Sequence, residues 1–259
     1  MQTLKIWNVL TVFLAACGDG GPTPALPYPH EPAGFTKYSE RDFSAKNQDQ
    51  WLPNEDDYSS LQVVSDDAAP KSGPLVMQQV YAVGFPSGGS PAVAERQITT
   101  PATQVYISLW VKLSANWDGH ITGTNKVFYV WIGGKPKFFI SAEGVGTGPL
   151  EPMARIQDDV AQREFLPPNV TRSLLVQRGV WQRWEVILRA NTPGQANGEV
   201  HWWINGVKVT EYRNVQYADP GESPDWEYVQ WAPIWGGGGP PIAREQTMRF
   251  DHIYFSIRR

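Results

Sequence analysis

The sequence predicts an all-β domain of the sandwich or barrel class, on three observations. Between Trp181 and Val209 two alternating segments carry four tryptophans, and the second turns through Asn205-Gly206 into a further apolar run. Asn-Gly supplies the positive φ angles of a two-residue type I′ hairpin. From Gln104 to Leu113, Val105, Ile107, Leu109, Val111 and Leu113 share one face, and Tyr106, Ser108, Trp110 and Lys112 the other. That is the period of a strand with one side in a core. Finally, 24 Gly and 22 Pro punctuate short apolar runs, while helix-type charged stretches are scarce. A chain of 259 residues with 12 Trp then reads as one large β domain rather than two small ones.

Taken in chain order, Met1 to Lys5 forms a short n-region and Ile6 to Phe13 a mostly apolar h-region, an export signal too short to span a bilayer. Leu14-Ala15-Ala16-Cys17 resembles the lipobox of bacterial lipoproteins, and Cys17 is the sole cysteine of the chain. The expected boundaries are a signal peptide over 1–16, a lipidated Cys17 with a Gly/Pro-rich tether over 17–34, and a single domain over 35–259. This implies an exported cell-envelope lipoprotein at the outer membrane or cell surface, touching the membrane only through its lipid.

The first strand expected is Leu75 to Val83. After the Gln104–Leu113 strand come Lys126 to Ile132, Lys137 to Ser141 and Met153 to Gln157. Asp158 to Val180 is polar, contains Pro167-Pro168, and reads as a long loop with one helical turn and a short strand at Leu174 to Gln177. In Arg183 to Arg189, Trp184, Val186 and Leu188 face the core, and Arg183, Glu185 and Arg189 face away. Val200, Trp202 and Ile204 alternate likewise with Glu199, His201 and Trp203. Trp226 to Trp235 and Met248 to Ile257 complete the set, flanking the side-chain-free loop Gly236 to Gly239.

The succession VYISLWVKL, GVWQRWEVILRANT, GEVHWWINGVKV and RFDHIYFS resembles the concanavalin A-like lectin and glucanase superfamily, within it polysaccharide-lyase-like and laminin-G-like bacterial jelly rolls. The resemblance covers roughly Phe35 to Arg259. It implies a two-sheet antiparallel jelly-roll sandwich that holds glycan on a concave sheet. Departures limit it to the fold: the Glu-x-Asp-x-Glu strand of laminarinase-type hydrolases is absent, and so are the signature strands of alginate lyases.

Eliminating across a uronic acid needs a cation for the carboxylate and groups that move protons. Candidates on non-core faces are Lys112, Arg183 and Arg189 for neutralisation, and His201, Tyr106 or Tyr129 for proton transfer. Trp110, Trp131, Trp203 and Trp235 are the expected stacking surfaces for pyranose rings. His120 sits in a loop that could overhang a groove, Glu199 and Glu185 would be the carboxylate pair of a hydrolase, and His30 is set aside with the tether. Together these predict a polysaccharide binder, with catalysis undecided between a lyase, a hydrolase and a non-catalytic adhesion module. The central expectation is that Tyr106, Trp110, His201 and Trp203 converge on one open trough. A formal charge of −4 argues against a nucleic-acid partner. No metal-ligand spacing stands out; a structural calcium at Asp251 or Asp118 stays open. A monomer is expected.

Overall fold

The structure, a computed structural model, describes residues 27–158 and 162–259, so the expected export signal and the expected lipidation at Cys17 lie outside the described residues. Within them the strands are β1 (Thr36–Arg41), β2 (Leu61–Ser65), β3 (Leu75–Tyr81), β4 (Ala94–Gln97), β5 (Gln104–Leu113), β6 (Thr124–Ile132), β7 (Lys135–Glu143), β8 (Glu151–Asp158), β9 (Gln162–Leu166), β10 (Gln182–Arg189), β11 (Gly198–Ile204), β12 (Val207–Val215), β13 (Trp226–Trp231) and β14 (Gln246–Arg258). They form two antiparallel sheets, as expected. An eight-stranded sheet runs β12-β11-β10-β5-β14-β3-β2, with β1 also on β14, and a six-stranded sheet runs β4-β13-β6-β7-β8-β9.

The inward sides are the apolar sides read from the sequence. Val105, Ile107, Leu109, Val111 and Leu113 of β5 join Trp184, Val186 and Leu188 of β10 and Val200, Trp202 and Ile204 of β11 in one core. Phe128, Val130 and Ile132 of β6 and Trp226, Val229 and Trp231 of β13 meet them from the other sheet. Trp184 and Trp202 pack edge to face at 5.2 Å. Each fully buried tryptophan removes enough area from water to contribute about 4–6 kcal/mol before ordering entropy is charged against it. Asn205 (φ 50) and Gly206 (φ 80) close the β11–β12 hairpin with the predicted positive angles.

The differences have local causes. β1, β2, β4 and β9 are four to six residues long and lack a clean alternation. Leu174 to Gln177 is not a strand; Val176 docks by a single N–H on the Leu150 carbonyl. The one helical turn found among the described residues is at Glu55–Asp57, where Asn54 caps it through the Asp56 N–H, rather than in 158–180. β13 ends at Trp231, ahead of Pro233, whose missing N–H cannot continue a ladder.

Candidate functional site

The chemistry-bearing residues predicted from the sequence do not converge on one trough. Strands adjacent in the chain are dealt to different sheets, so Tyr106, Trp110, Lys112, Arg183, Glu185, Arg189, Glu199, His201 and Trp203 lie on the outer face of the eight-stranded sheet. Tyr129 and Trp131 lie on the outer face of the six-stranded one. Trp235 and His120 belong to neither face.

On the eight-stranded sheet the register aligns Lys208, Trp203, Glu185, Ser108, Tyr254 and Glu40 in a row across β12, β11, β10, β5, β14 and β1. This row is covered. Residues 28–31 form a turn closed by the Glu31 N–H on the Tyr28 carbonyl, with Pro29 in the position that presets its φ. The Tyr28 ring stacks on Tyr254 at 3.7 Å, and the His30 ring on Trp203 at 4.6 Å. Glu185 accepts the Tyr106 hydroxyl at 2.7 Å and faces His30 Nδ1 at 3.0 Å. The expected open trough is therefore closed: Tyr106 is fully buried, and His201 and Trp203 are buried. Burial and the neighbouring Glu185 push the Tyr106 hydroxyl well above the usual phenol range.

The polar residues around this row are partnered with one another. Lys112 contacts Asp66 and lies over the Trp181 ring; Arg189 pairs with Glu199 at 3.2 Å. His201 Nε2 sits 2.9 Å from Glu199. Arg183 stands over Trp110, its Cζ 5.7 Å from the ring centre. Glu185 and Glu199 cannot act as a glycosidase pair in this register. Glu199 faces Arg189, four residues along β10 from Glu185, which separates the two by about 13 Å at the rise of a strand, beyond even the inverting spacing.

His120 and Trp235 meet at the end of the sandwich instead of overhanging or lining a groove. The Trp235 indole is buried and donates to the Asp118 carbonyl. His120 is fully buried edge-on against it. The Thr122 N–H donates to His120 Nδ1, so the proton rides on Nε2 and is donated to Ser87 Oγ at 3.0 Å. Burial lowers the His120 pKa, which keeps this ring neutral. The two carboxylates considered for calcium are also engaged: Asp251 accepts backbone N–H groups of Lys71 and Ser72, and Asp118 lies 3.7 Å from Arg244. Among the described residues no group of three or more His, Cys, Asp or Glu side chains is placed to hold a metal ion.

The six-stranded sheet presents a different surface. Its register sets Glu95, Gln230, Tyr129, Phe139, Arg155 and Phe165 opposite one another across β4, β13, β6, β7, β8 and β9. In the neighbouring row Gln97, Tyr228 and Trp131 align. Tyr129, Phe139 and Ala232 are buried and, with the partly buried Val93, Trp131 and Ile234 against them, form a small apolar cluster separate from the main core; Arg155 beside it is buried too. Trp131 and Tyr228 stack at 4.9 Å and 20°, and the indole N–H donates to Gln230 Oε1. Two cations flank this platform. Lys126 Nζ lies 5.3 Å from the Tyr129 ring centre and 4.8 Å from that of Phe139. The Arg155 guanidinium lies 4.1 Å from the Phe165 ring centre and donates to Glu143 at 2.7 Å. Burial raises the Glu143 pKa, against the pull of Ser141 and Arg155.

Sequence reasoning named Tyr129 and Trp131 on this face and missed Lys126, Phe139, Arg155, Tyr228 and Gln230. The Tyr228/Gln230 alternation on β13 was the available signal. Arg155 follows from no local pattern, since its neighbours Phe139 and Phe165 come from other strands.

No family model and no curated protein matches the sequence. Solved structures do resemble it. An endo-β-1,4-glucuronan lyase from the fungus Trichoderma reesei superposes with a TM-score of 0.59 at 13% identity, over 86% of this chain and 96% of the lyase. An alginate lyase from Aplysia kurodai gives 0.56 at 12% identity, over 86% and 90%. An alginate lyase from a Chlorella virus gives 0.54 at 14% identity, over 76% and 89%. The chain thus has the jelly-roll fold of these lyases, the two-sheet antiparallel architecture expected from the sequence.

Proposed function

We propose that the outer face of the six-stranded sheet binds an extracellular polysaccharide and cleaves it by β-elimination. The observation that carries this reading is the pair of rows in which Tyr129 stands between the stacked Trp131/Tyr228 platform and the cations Lys126 and Arg155. Flat aromatic faces take the C–H side of a pyranose, while Gln230 and Gln97 are suited to its hydroxyls. The fold shared with glucuronan and alginate lyases supports the choice of chemistry.

In the proposed step a uronic-acid carboxylate is neutralised by Lys126 and Arg155, which acidifies the C5 proton. Solvent takes that proton, the C4–C5 double bond forms, and the C4–O bond breaks. Tyr129, central in the row, gives its hydroxyl proton to the departing oxygen. The sequence adds an envelope location: Cys17 would carry the lipid that holds the enzyme near its polymer.

Incubation with polyglucuronate, alginate and pectate tests this, read as absorbance of the unsaturated product. Turnover on one polymer, abolished in Tyr129→Phe with binding retained, is the expected result. Binding without unsaturated product on any acidic polymer would leave a glycan-binding module and reject the lyase.

A further inference from the structure

The turn at residues 28–31 occupies a second surface that has the features of a ligand site. It adds no strand to the eight-stranded sheet. Side chains hold it: the two ring stacks on Trp203 and Tyr254, His30 on Glu185, Tyr28 on Glu40, and Glu31 accepting the Tyr254 hydroxyl at 2.7 Å. Tyr28, His30 and Glu31 each keep partial exposure. Arg183 stands beside the turn, its Nε 3.0 Å from Glu185 as an ion pair without the direction of a hydrogen bond. Beyond the turn the same face continues through Trp110 and Lys208, the latter with its ammonium 5.0 Å from the Trp203 ring centre.

We propose that this face is a second carbohydrate site, for neutral pyranose oligosaccharides, and that Tyr28 and His30 stand in it as a displaceable intramolecular plug. The rings of the plug lie parallel to Trp203 and Tyr254 at the separations a stacked sugar ring would adopt. Glu185, which accepts the Tyr106 hydroxyl and pairs with Arg183, would offer ring hydroxyls the oxygen that His30 now faces. A neutral ligand fits because the row presents two carboxylates, Glu40 and Glu185, whose charge an acidic sugar would oppose, and the cations Lys37 and Arg183 beside them are already paired to them. The plug is tethered, so its high effective concentration masks the site until a ligand competes.

The test uses the full chain carrying Tyr28→Ala, His30→Ala and Glu31→Ala, titrated calorimetrically with cello-, manno- and xylo-hexaose. At least one is expected to bind the triple variant tenfold or more tighter than the wild type. That gain should vanish when Trp203→Ala is added and persist when Trp131→Ala is added, which separates this face from the six-stranded one. No gain in a variant that still melts cooperatively overturns the proposal, as does a gain insensitive to Trp203→Ala. A labelled peptide of residues 26–34 that binds the variant when no hexaose does would assign the face to peptide and likewise overturn it. Should the triple variant fail to fold, His30→Ala alone uncovers Trp203, and the same titrations decide.

Discussion

Glu55→Gln is expected to destabilise the fold more than any surface change, for reasons visible around Arg41. The Arg41 guanidinium donates to both Glu55 oxygens, at 2.6 and 2.7 Å, and neither side chain has any exposure. Glu55 Oε2 also accepts the Asn47 N–H at 2.8 Å. Phe43, Trp51 and Trp231 surround the cation, their ring centres 4.7, 5.4 and 5.7 Å from it. A glutamine leaves the charge facing a single neutral oxygen among aromatic rings, and breaking such a buried pair costs about 3–5 kcal/mol. At about 2–4 °C per kcal/mol for a domain of this size, Tm should fall by roughly 6–20 °C. The double variant Arg41→Met/Glu55→Met removes both charges and orphans chiefly the Asn47 N–H, a cost of about 1–3 kcal/mol. It should therefore be more stable than Glu55→Gln alone. Urea melts of the variants, arranged as a double-mutant cycle, measure the coupling. A Glu55→Gln loss under about 1 kcal/mol, or additive single changes, would refute the reasoning, because a pair sealed from solvent cannot be that weakly coupled. Since Trp231 belongs to β13, which carries Tyr228 and Gln230, the same variants should loosen the candidate site.

Further outcomes are expected elsewhere. Trp131→Ala should weaken polysaccharide binding about tenfold by removing half of the Trp131/Tyr228 stack, an aromatic contribution of roughly 1 kcal/mol or more; affinity electrophoresis in polymer gels reads it, and unchanged mobility would count against the six-stranded face. Gly236→Ala would place a Cβ 2.1 Å from the His120 ring at a φ of +82, whereas Gly238→Ala meets nothing within 4 Å. The first should cost about 2–4 kcal/mol and the second under about 0.5, and equal thermal shifts would contradict the packing. Burial pushes the Glu40 carboxyl up, but hydrogen bonds from Tyr28, His252 and Lys37 outweigh that and hold it at about 2 against an ordinary 4.5. Its stabilising contribution is thus present above about 4.5 and is lost as pH falls toward 2. Glu40→Gln should flatten the stability profile in that window, and a profile as steep as the wild type's would place the acid sensitivity elsewhere. Cys17→Ser should abolish incorporation of radiolabelled palmitate if Cys17 is lipidated, and retained label would remove the anchor.

How much of this was legible in the sequence follows from what a period of two can encode. It tells which side chains of one strand share a face, so the inward sides of β5, β10 and β11 and the Asn205-Gly206 hairpin could be read directly. It does not tell which sheet a strand joins. Tyr106 and Tyr129 carry the same signature, an aromatic hydroxyl on a non-core face, yet β5 pairs with β10 and β14 while β6 pairs with β13 and β7. One crossover between consecutive strands therefore split a set that alternation alone would unite. β4 and β9 were invisible because four or five residues with charged members make no pattern. His30 was set aside because nothing near it in sequence is periodic; its partner Glu185 is 155 positions away.

The division between the faces also explains what the loops at the end of the sandwich do. β6 and β13 are neighbours in the six-stranded sheet, and Tyr129 and Gln230 face each other only if the segments leading into β6 and out of β13 are fixed together. His120, just before β6, packs against Trp235, just after β13; Gly236 presses on its ring where no Cβ would fit, and a Cβ on Gly239 would come within 3.1 Å of it. Hydrogen bonds from Gly236 N–H to the Thr124 carbonyl and from Lys126 N–H to the Ile234 carbonyl continue the clamp to the edge of the site. A neutral, fully bonded histidine suits that task better than proton transfer would, since protonating Nδ1 would cost it the Thr122 N–H. Two glycines of the run, Gly236 and Gly239, are thus accounted for by the approach of a histidine ring, and Lys126, the cation next to Tyr129, is held in register by the same contact.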